Sequence, residues 1–219
     1  MKWCLVATLC TLLSVFSADA DPAGYILSSD RTFNPDIIGL MTEGGLEDAV
    51  RIATLLGQRD DAYAGDIIEY FFHHHNGKRS YESERILSTL LGSLFPVDLD
   101  QTVFDARYAL NAEALSGLIV SLEQYESPDL RSICLSLAGR SGDPLFFPLL
   151  SRRGEDLAAR LSHTRGRLTP PEYEEILIFL EMAGRLKLVA FRYPVMEIAR
   201  HAADRRVVER AREALRRLH

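Results

Sequence analysis

Ser127-Pro128-Asp129-Leu130-Arg131-Ser132-Ile133-Cys134-Leu135-Ser136-Leu137-Ala138-Gly139-Arg140-Ser141-Gly142-Asp143-Pro144 is the stretch whose reading decides the fold. Ser127 is a natural N-cap, and Pro128 suits the first helical position, where a missing N–H costs nothing. Leu130, Ile133, Cys134 and Leu137 then recur at helical spacing and form one apolar face. Gly139 reads as the helix end, because glycine adopts a left-handed cap cheaply. Asp143-Pro144 opens a partner over Leu145 to Leu150. Pro148 falls inside that partner and predicts a single turn or a kink.

Working outward, the closing phrase Ser136-Leu137-Ala138-Gly139 has counterparts. They are Thr54-Leu55-Leu56-Gly57, Thr89-Leu90-Leu91-Gly92 and Glu181-Met182-Ala183-Gly184, and the four glycines are 35, 47 and 45 residues apart. A helix end recurring at roughly 40–47 residues predicts stacked helix pairs. Such stacks serve as extended binding surfaces.

The remaining segments agree with an all-helical chain. Leu46, Ala49, Val50, Ala53 and Leu56 share one helix face, closed by Gly57. A helix over about Ala62 to His74 turns Tyr63, Ile67, Tyr70 and Phe71 inward. Another, near Tyr81 to Phe95, carries Ile86, Leu87, Leu90, Leu91 and Leu94 and stops at Pro96. Short helices begin after Asp100 and after Asn111, the latter read as an N-cap. Thr169-Pro170-Pro171-Glu172 is a capping box ahead of Tyr173, Ile176, Leu177, Leu180 and Ala183. A last helix follows Asp204 with Val207, Ala211, Leu215 and Leu218 inward. No run shows strand alternation.

The stretch from Ser127 to Pro144 resembles a HEAT repeat. In that family an Asp and a Val/Leu-Arg pair open the first helix, here Asp129 and Leu130-Arg131. A Leu/Ala-Gly closes it, and an Asp-Pro turn starts the second. Asp48-Ala49-Val50-Arg51 with Leu56-Gly57 and Asp61 follows the same order, as does Asp204 with Val207, Val208, Arg210 and Ala211. The unit around Gly92 departs from it, with an extra stretch from Phe95 to Asn111 in place of a compact second helix. The resemblance implies a right-handed α-solenoid of antiparallel helix pairs with an interaction role, and it transfers no catalytic residue.

The N-terminus reads as an address. Lys2 precedes an apolar run from Trp3 to Phe16, and Ala18-Asp19-Ala20 fits a signal-peptidase site. The run is shorter than the ~20 residues a bilayer span needs. The expected organisation is a signal peptide over 1–20, an arm over 21–41 and a helical-repeat domain over 42–219. The mature chain of 199 residues is long enough for one sizeable core. Cys4 and Cys10 leave with the signal, so Cys134 alone remains and no internal disulfide is expected.

The net charge of −6 conceals a gradient, because residues 1–150 carry 10 basic and 21 acidic side chains whereas residues 151–219 carry 15 and 10. The last helix concentrates Arg205, Arg206, Arg210, Arg212, Arg216 and Arg217 against Asp204, Glu209 and Glu213. These six arginines are the candidate binding residues. They fit a solvated salt-bridged face, an anionic envelope surface, an acidic protein, or the acidic end of a second copy joined head to tail. Nucleic acid is not expected of an exported chain.

Chemistry is harder to find. His73-His74-His75 cannot all ligate one ion from a regular helix, since adjacent residues point about 100° apart. Glu69 and His73 share a face but supply two ligands where zinc takes three or four. No metal site is therefore expected. Cys134 on an apolar face reads as core. Glu172, Glu174 and Glu175 fall in a first helical turn, where acids are favoured by the helix dipole alone. Hydrolase, zincin, P-loop and dinucleotide motifs are absent from the sequence, so neither a catalytic residue nor a cofactor is expected. The reading is an exported, periplasmic or secreted, non-catalytic scaffold that binds a protein partner, ahead of docking on an anionic surface and of an enzyme with an unrecognised helical site. Intact-mass analysis of the natural product should find Asp21 at its N-terminus, and recovery of the whole chain beginning at Met1 would overturn the signal reading.

Overall fold

A computed structural model describes residues 34–58, 63–73 and 81–218. The signal and its cleavage site, Cys4, Cys10, His74 and His75 lie outside the described residues. Among the described residues there are eleven α-helices and no strand. They are α1 (Asn34–Glu43), α2 (Gly45–Leu56), α3 (Gly65–His73), α4 (Tyr81–Leu94), α5 (Gln101–Leu110) and α6 (Ala112–Val120), then α7 (Pro128–Ser141), α8 (Phe147–His163), α9 (Pro170–Leu186), α10 (Arg192–His201) and α11 (Arg205–Arg217). Within the stretch assigned to an arm, residues 34–41 belong to α1, which buries Ile37 and Met41.

The helices pack as five consecutive pairs: α1 with α2, α3 with α4, α6 with α7, α8 with α9, and α10 with α11. The second members also contact one another in series, α2 to α4 to α7 to α9 to α11. First members do so in two runs, α1 to α3 to α6 and α8 to α10. The fifth helix, α5, stands outside the pairing and occupies the stretch that interrupts the sequence pattern.

The recurrent glycines mark this series, and only one of them ends a helix as the sequence reading expected. Gly57 caps α2, but α4 continues past Gly92, α7 past Gly139 and α9 past Gly184. The left-handed stops are Gly142 (φ 66°) after α7 and Lys187 (φ 54°) after α9. What the glycines share is contact with the next helix of the series. A Cβ on Gly57 would lie 2.1 Å from Ser93 Cβ, and one on Gly139 would lie 2.5 Å from Met182 Cγ. From Gly184 it would approach Arg217 Cδ at 3.3 Å and Ala214 Cα at 3.5 Å. Gly92 faces Ile133 more loosely, at 3.8 Å. The missing side chain serves close helix approach at these sites rather than left-handed geometry.

Several local expectations hold. Ser127 Oγ accepts from the Leu130 N–H at 3.3 Å, Asp204 from those of Arg206 and Val207, and Glu172 from that of Thr169. Others are corrected. The partner opened by Asp143-Pro144 is a single 3-10 turn, Pro144–Phe146, leading into the 17-residue α8. Pro148 lies in the first turn of α8, where no N–H is required, so it starts the helix instead of kinking it. The main partner of α7 is α9 and not the segment after Pro144. Leu130, Cys134 and Leu137 are buried, whereas Ile133 is only half-buried. Asn111 does not cap α6 with its side chain. Its Oδ1 accepts from the Ala64 N–H at 2.8 Å, and its Nδ2 donates to the Arg107 carbonyl at 2.7 Å, which ties α5 to the segment before α3.

Buried charges fix the central turn. Glu84 of α4 accepts from the backbone N–H groups of Glu126 and Ser127, at 3.2 and 2.5 Å. Arg131 donates to the carbonyls of Tyr125 and Glu126. One turn is thus held through its donors by α4 and through its acceptors by α7. Glu175, 1% exposed, receives Arg153 Nη2 at 2.6 Å on both oxygens and has Arg131 Nε at 3.6 Å. Glu175 lies in the second turn of α9, beyond the first turn expected for it, and is a structural counter-ion joining α7, α8 and α9. Burial raises the Cys134 thiol well above its ordinary pKa, with Glu84 adding to the effect, so it is kept as an inert core thiol.

The glycine contacts yield a test with opposite signs. Gly57→Ala should cost about 1–3 kcal/mol through overpacking against Ser93. Gly92→Ala, with only Ile133 Cδ1 in ordinary contact, should stabilise α4 by roughly 0.5–1 kcal/mol through helix propensity. Denaturant titration of both variants checks this, and equal effects would contradict the packing role.

Candidate functional site

The departure from regular pairing builds the site. After α4 the chain runs through Phe95 and Pro96 to Leu99 and enters α5, with Asp100 capping Thr102 and Val103. Phe104 of α5 is fully buried, edge-on to Phe95 at 5.5 Å and stacked with Tyr108 at 5.7 Å. Arg107 Nη1 donates to the Leu94 carbonyl at 2.7 Å and holds α5 against the end of α4. Arg140, on the last turn of α7, reaches across to the same insert. Its Nη1 donates to the Pro96 carbonyl at 3.2 Å and its Nη2 to that of Leu99 at 2.7 Å, while its guanidinium lies 4.2 Å from the Phe104 ring centre. The planar cation thus satisfies a turn and covers an aromatic face together.

This arrangement leaves a groove of about 370 Å³ between α4, α7, α9 and the insert. Ile133 and Leu137 of α7 and Ile178 and Met182 of α9 supply apolar lining, joined by Phe95 and Leu99. Polar groups come from Ser132, Ser136, Gln101, Glu181, Arg140 and Arg185. Ser132, Ser136 and Arg140 follow one another at four-residue spacing and therefore share one side of α7. On α9 the same rule groups Ile178, Glu181, Met182 and Arg185.

Two features distinguish these polar groups. Ser88, Ser116 and Ser141 satisfy their hydroxyls on carbonyls three or four residues earlier. Ser132 and Ser136 make no side-chain hydrogen bond among the described residues. Likewise Arg185 has neither an ion pair nor a hydrogen bond among the described residues. It lines the groove and is exposed. Its pKa is lowered first by desolvation and then by the charge of Arg140, against an opposing effect of Glu181. Desolvation also lowers Arg140, with Asp105 and Glu181 opposing. The groove thus has an apolar middle, half-buried hydroxyls without a protein partner along one wall, and two guanidiniums opposed by one lining carboxylate.

The arginines singled out in the sequence lie elsewhere. None of the six on α11 lines the groove. Arg205 pairs with Glu209 at 2.8 Å, while Arg210 and Arg217 both pair with Glu213. Arg216 Nε donates to the Arg212 carbonyl at 3.4 Å. Arg206 and Arg212 make no ion pair among the described residues. His73 ends α3 exposed, its ring edge-on to Phe72 at 4.7 Å. Among the described residues no three His, Cys, Asp or Glu side chains gather as a metal-ion group. Sequence reasoning missed Ser132, Ser136, Arg140 and Arg185. Their signal was the polar Ser-x-x-x-Ser-x-x-x-Arg row beside the apolar face of α7, next to the stretch from Phe95 to Asn111 that interrupts the pairing.

Comparison with protein-family models, with curated proteins and with solved structures finds no match to this chain.

Arg140→Ala should release the insert, since charged hydrogen bonds of this kind are each worth about 1.5–3 kcal/mol. Amide exchange should quicken from Phe95 to Leu110 while α10 and α11 keep their protection. Unchanged exchange in that stretch would show that Arg140 does not secure the groove wall.

Proposed function

We propose that this chain is an exported, non-catalytic binding protein, a HEAT-like α-solenoid that receives a segment of a protein partner in the groove between α4, α7 and α9. The observation that carries the reading is the groove itself, where an apolar lining lies beside hydroxyls and a guanidinium left without internal partners. Ser132 and Ser136 are half-buried and Arg185 is exposed. Groups left free at the edge of an apolar groove are available to a ligand that brings partners of its own. The serial contacts of α2, α4, α7, α9 and α11 support the solenoid reading, since each unit buries its apolar face on its neighbour. Export rests on the apolar run and Ala18-Asp19-Ala20.

A second reading rests on Arg206 and Arg212, whose charges have no acidic partner on α11. It places an anionic envelope surface against that helix.

A photo-crosslinking amino acid separates these readings. It is placed in turn at Ser136, at Arg206 and at exposed Glu155 of α8. In the native envelope, one defined partner should crosslink from Ser136, and Ser136→Trp should abolish its co-purification. Crosslinks from Arg206 with none from Ser136 would overturn the groove reading in favour of the α11 surface.

A further inference from the structure

The chemistry of the groove also narrows what it takes, and this step rests on the reading that the groove is the binding site. Along α7, Ser132, Ser136 and Arg140 rise about 6 Å per step, four residues at about 1.5 Å each. Alternate residues of an extended peptide are about 6.6 Å apart. The two periods nearly coincide over three positions. An extended chain laid beside α7 therefore offers a backbone N–H or C=O to each serine hydroxyl in turn. Its side chains on one face meanwhile meet Ile133, Leu137, Ile178 and Met182. An α-helical ligand would arrive with its backbone already paired and offer neither hydroxyl a backbone partner. An acyl chain has nothing to give them.

The two guanidiniums fix direction and charge. Arg140 is on the last turn of α7, and Arg185 is one residue before the end of α9. Arg140 is committed to the Pro96 and Leu99 carbonyls, which leave its charge uncancelled. Arg185 has all its donors free of protein partners among the described residues. The Pro96–Leu99 turn is tied to Arg140 at this same end, so a peptide running along α7 toward Arg140 comes to both guanidiniums there. A chain that stops at this point presents a carboxylate, the group that pairs bidentately with a free guanidinium.

We propose that the groove binds the C-terminal segment of a partner protein in extended form, with its apolar side chains on Ile133, Leu137, Ile178 and Met182 and its terminal carboxylate on Arg185. Ser132 and Ser136 hold the peptide backbone. Arg185 selects for a free chain end, and Glu181 beside it disfavours an acidic residue further back.

The test uses the whole mature chain, immobilised, and three pools of pentapeptides randomised over Ala, Val, Leu, Ile and Ser. One pool has free C-termini, the second C-terminal amides, and the third C-terminal amides with one internal Asp. Retention of the free-acid pool at least about tenfold above the amide pool is expected, as one charge-assisted pair provides. Arg185→Met should erase that ratio with the melting temperature unchanged. Ser132→Ala with Ser136→Ala should lower retention of the acid pool without altering its ratio to the amide pool. Equal retention of acid and amide pools would overturn the role of Arg185 while leaving the groove in place. Retention of the internal-Asp pool at the level of the acid pool would overturn the requirement for a chain end. If no pool is retained, the extended-peptide class is overturned. Loss of crosslinks from Ser136 as well would then remove the groove reading beneath it.

Discussion

The structure depends on how closely successive helices of one series can approach. α2, α4, α7, α9 and α11 touch in order, and at two of the crossings a single methyl group would collide with the neighbouring helix. Gly57 against Ser93 and Gly139 against Met182 set these separations. Gly154 does similar work between layers, where Phe179 occupies the space its side chain would need. Interiors this dense transmit displacement instead of absorbing it. A shift at one crossing therefore reaches the next, and the groove lies on the middle three members of that series.

Charge placement follows the same geometry. Glu84, Arg131 and Glu175 come from three successive helices of the series and are largely withdrawn from water. Breaking one member of a buried pair such as Arg153–Glu175 leaves the other charge uncompensated, at a cost of about 3–5 kcal/mol. These charges bind turns and helices into register and have no solvent-facing role. Arg140 is intermediate, since its guanidinium is spent on the insert while its charge is still felt by Arg185. The division separates acids and arginines that build the scaffold from Arg185, which makes no ion pair or hydrogen bond among the described residues.

The insert gives the molecule its individuality. Regular pairing of helices produces a surface that varies slowly from unit to unit. Phe95 to Asn111 interrupts it and raises a wall beside α4, and α7 and α9 complete the groove. The insertion and the groove coincide.

The sequence by itself determined the helical class and most helix starts. The physical information for these is local: caps such as Ser127, Asp204 and the Thr169–Glu172 pair act within one turn, and apolar spacing repeats within a helix. It also exposed the recurrence of Gly57, Gly92, Gly139 and Gly184 and the broken unit after Gly92. Tertiary structure alone decided what those glycines do, because a close crossing depends on a residue such as Ser93 or Met182 far along the chain. It decided that Asn111 spans to Ala64 instead of capping, and that Pro148 begins a long helix. The site was legible only as an interruption. The six arginines of α11 stood out because they are adjacent in sequence. Arg140 and Arg185 share a groove only because α7 packs on α9, a contact between residues far apart in the chain.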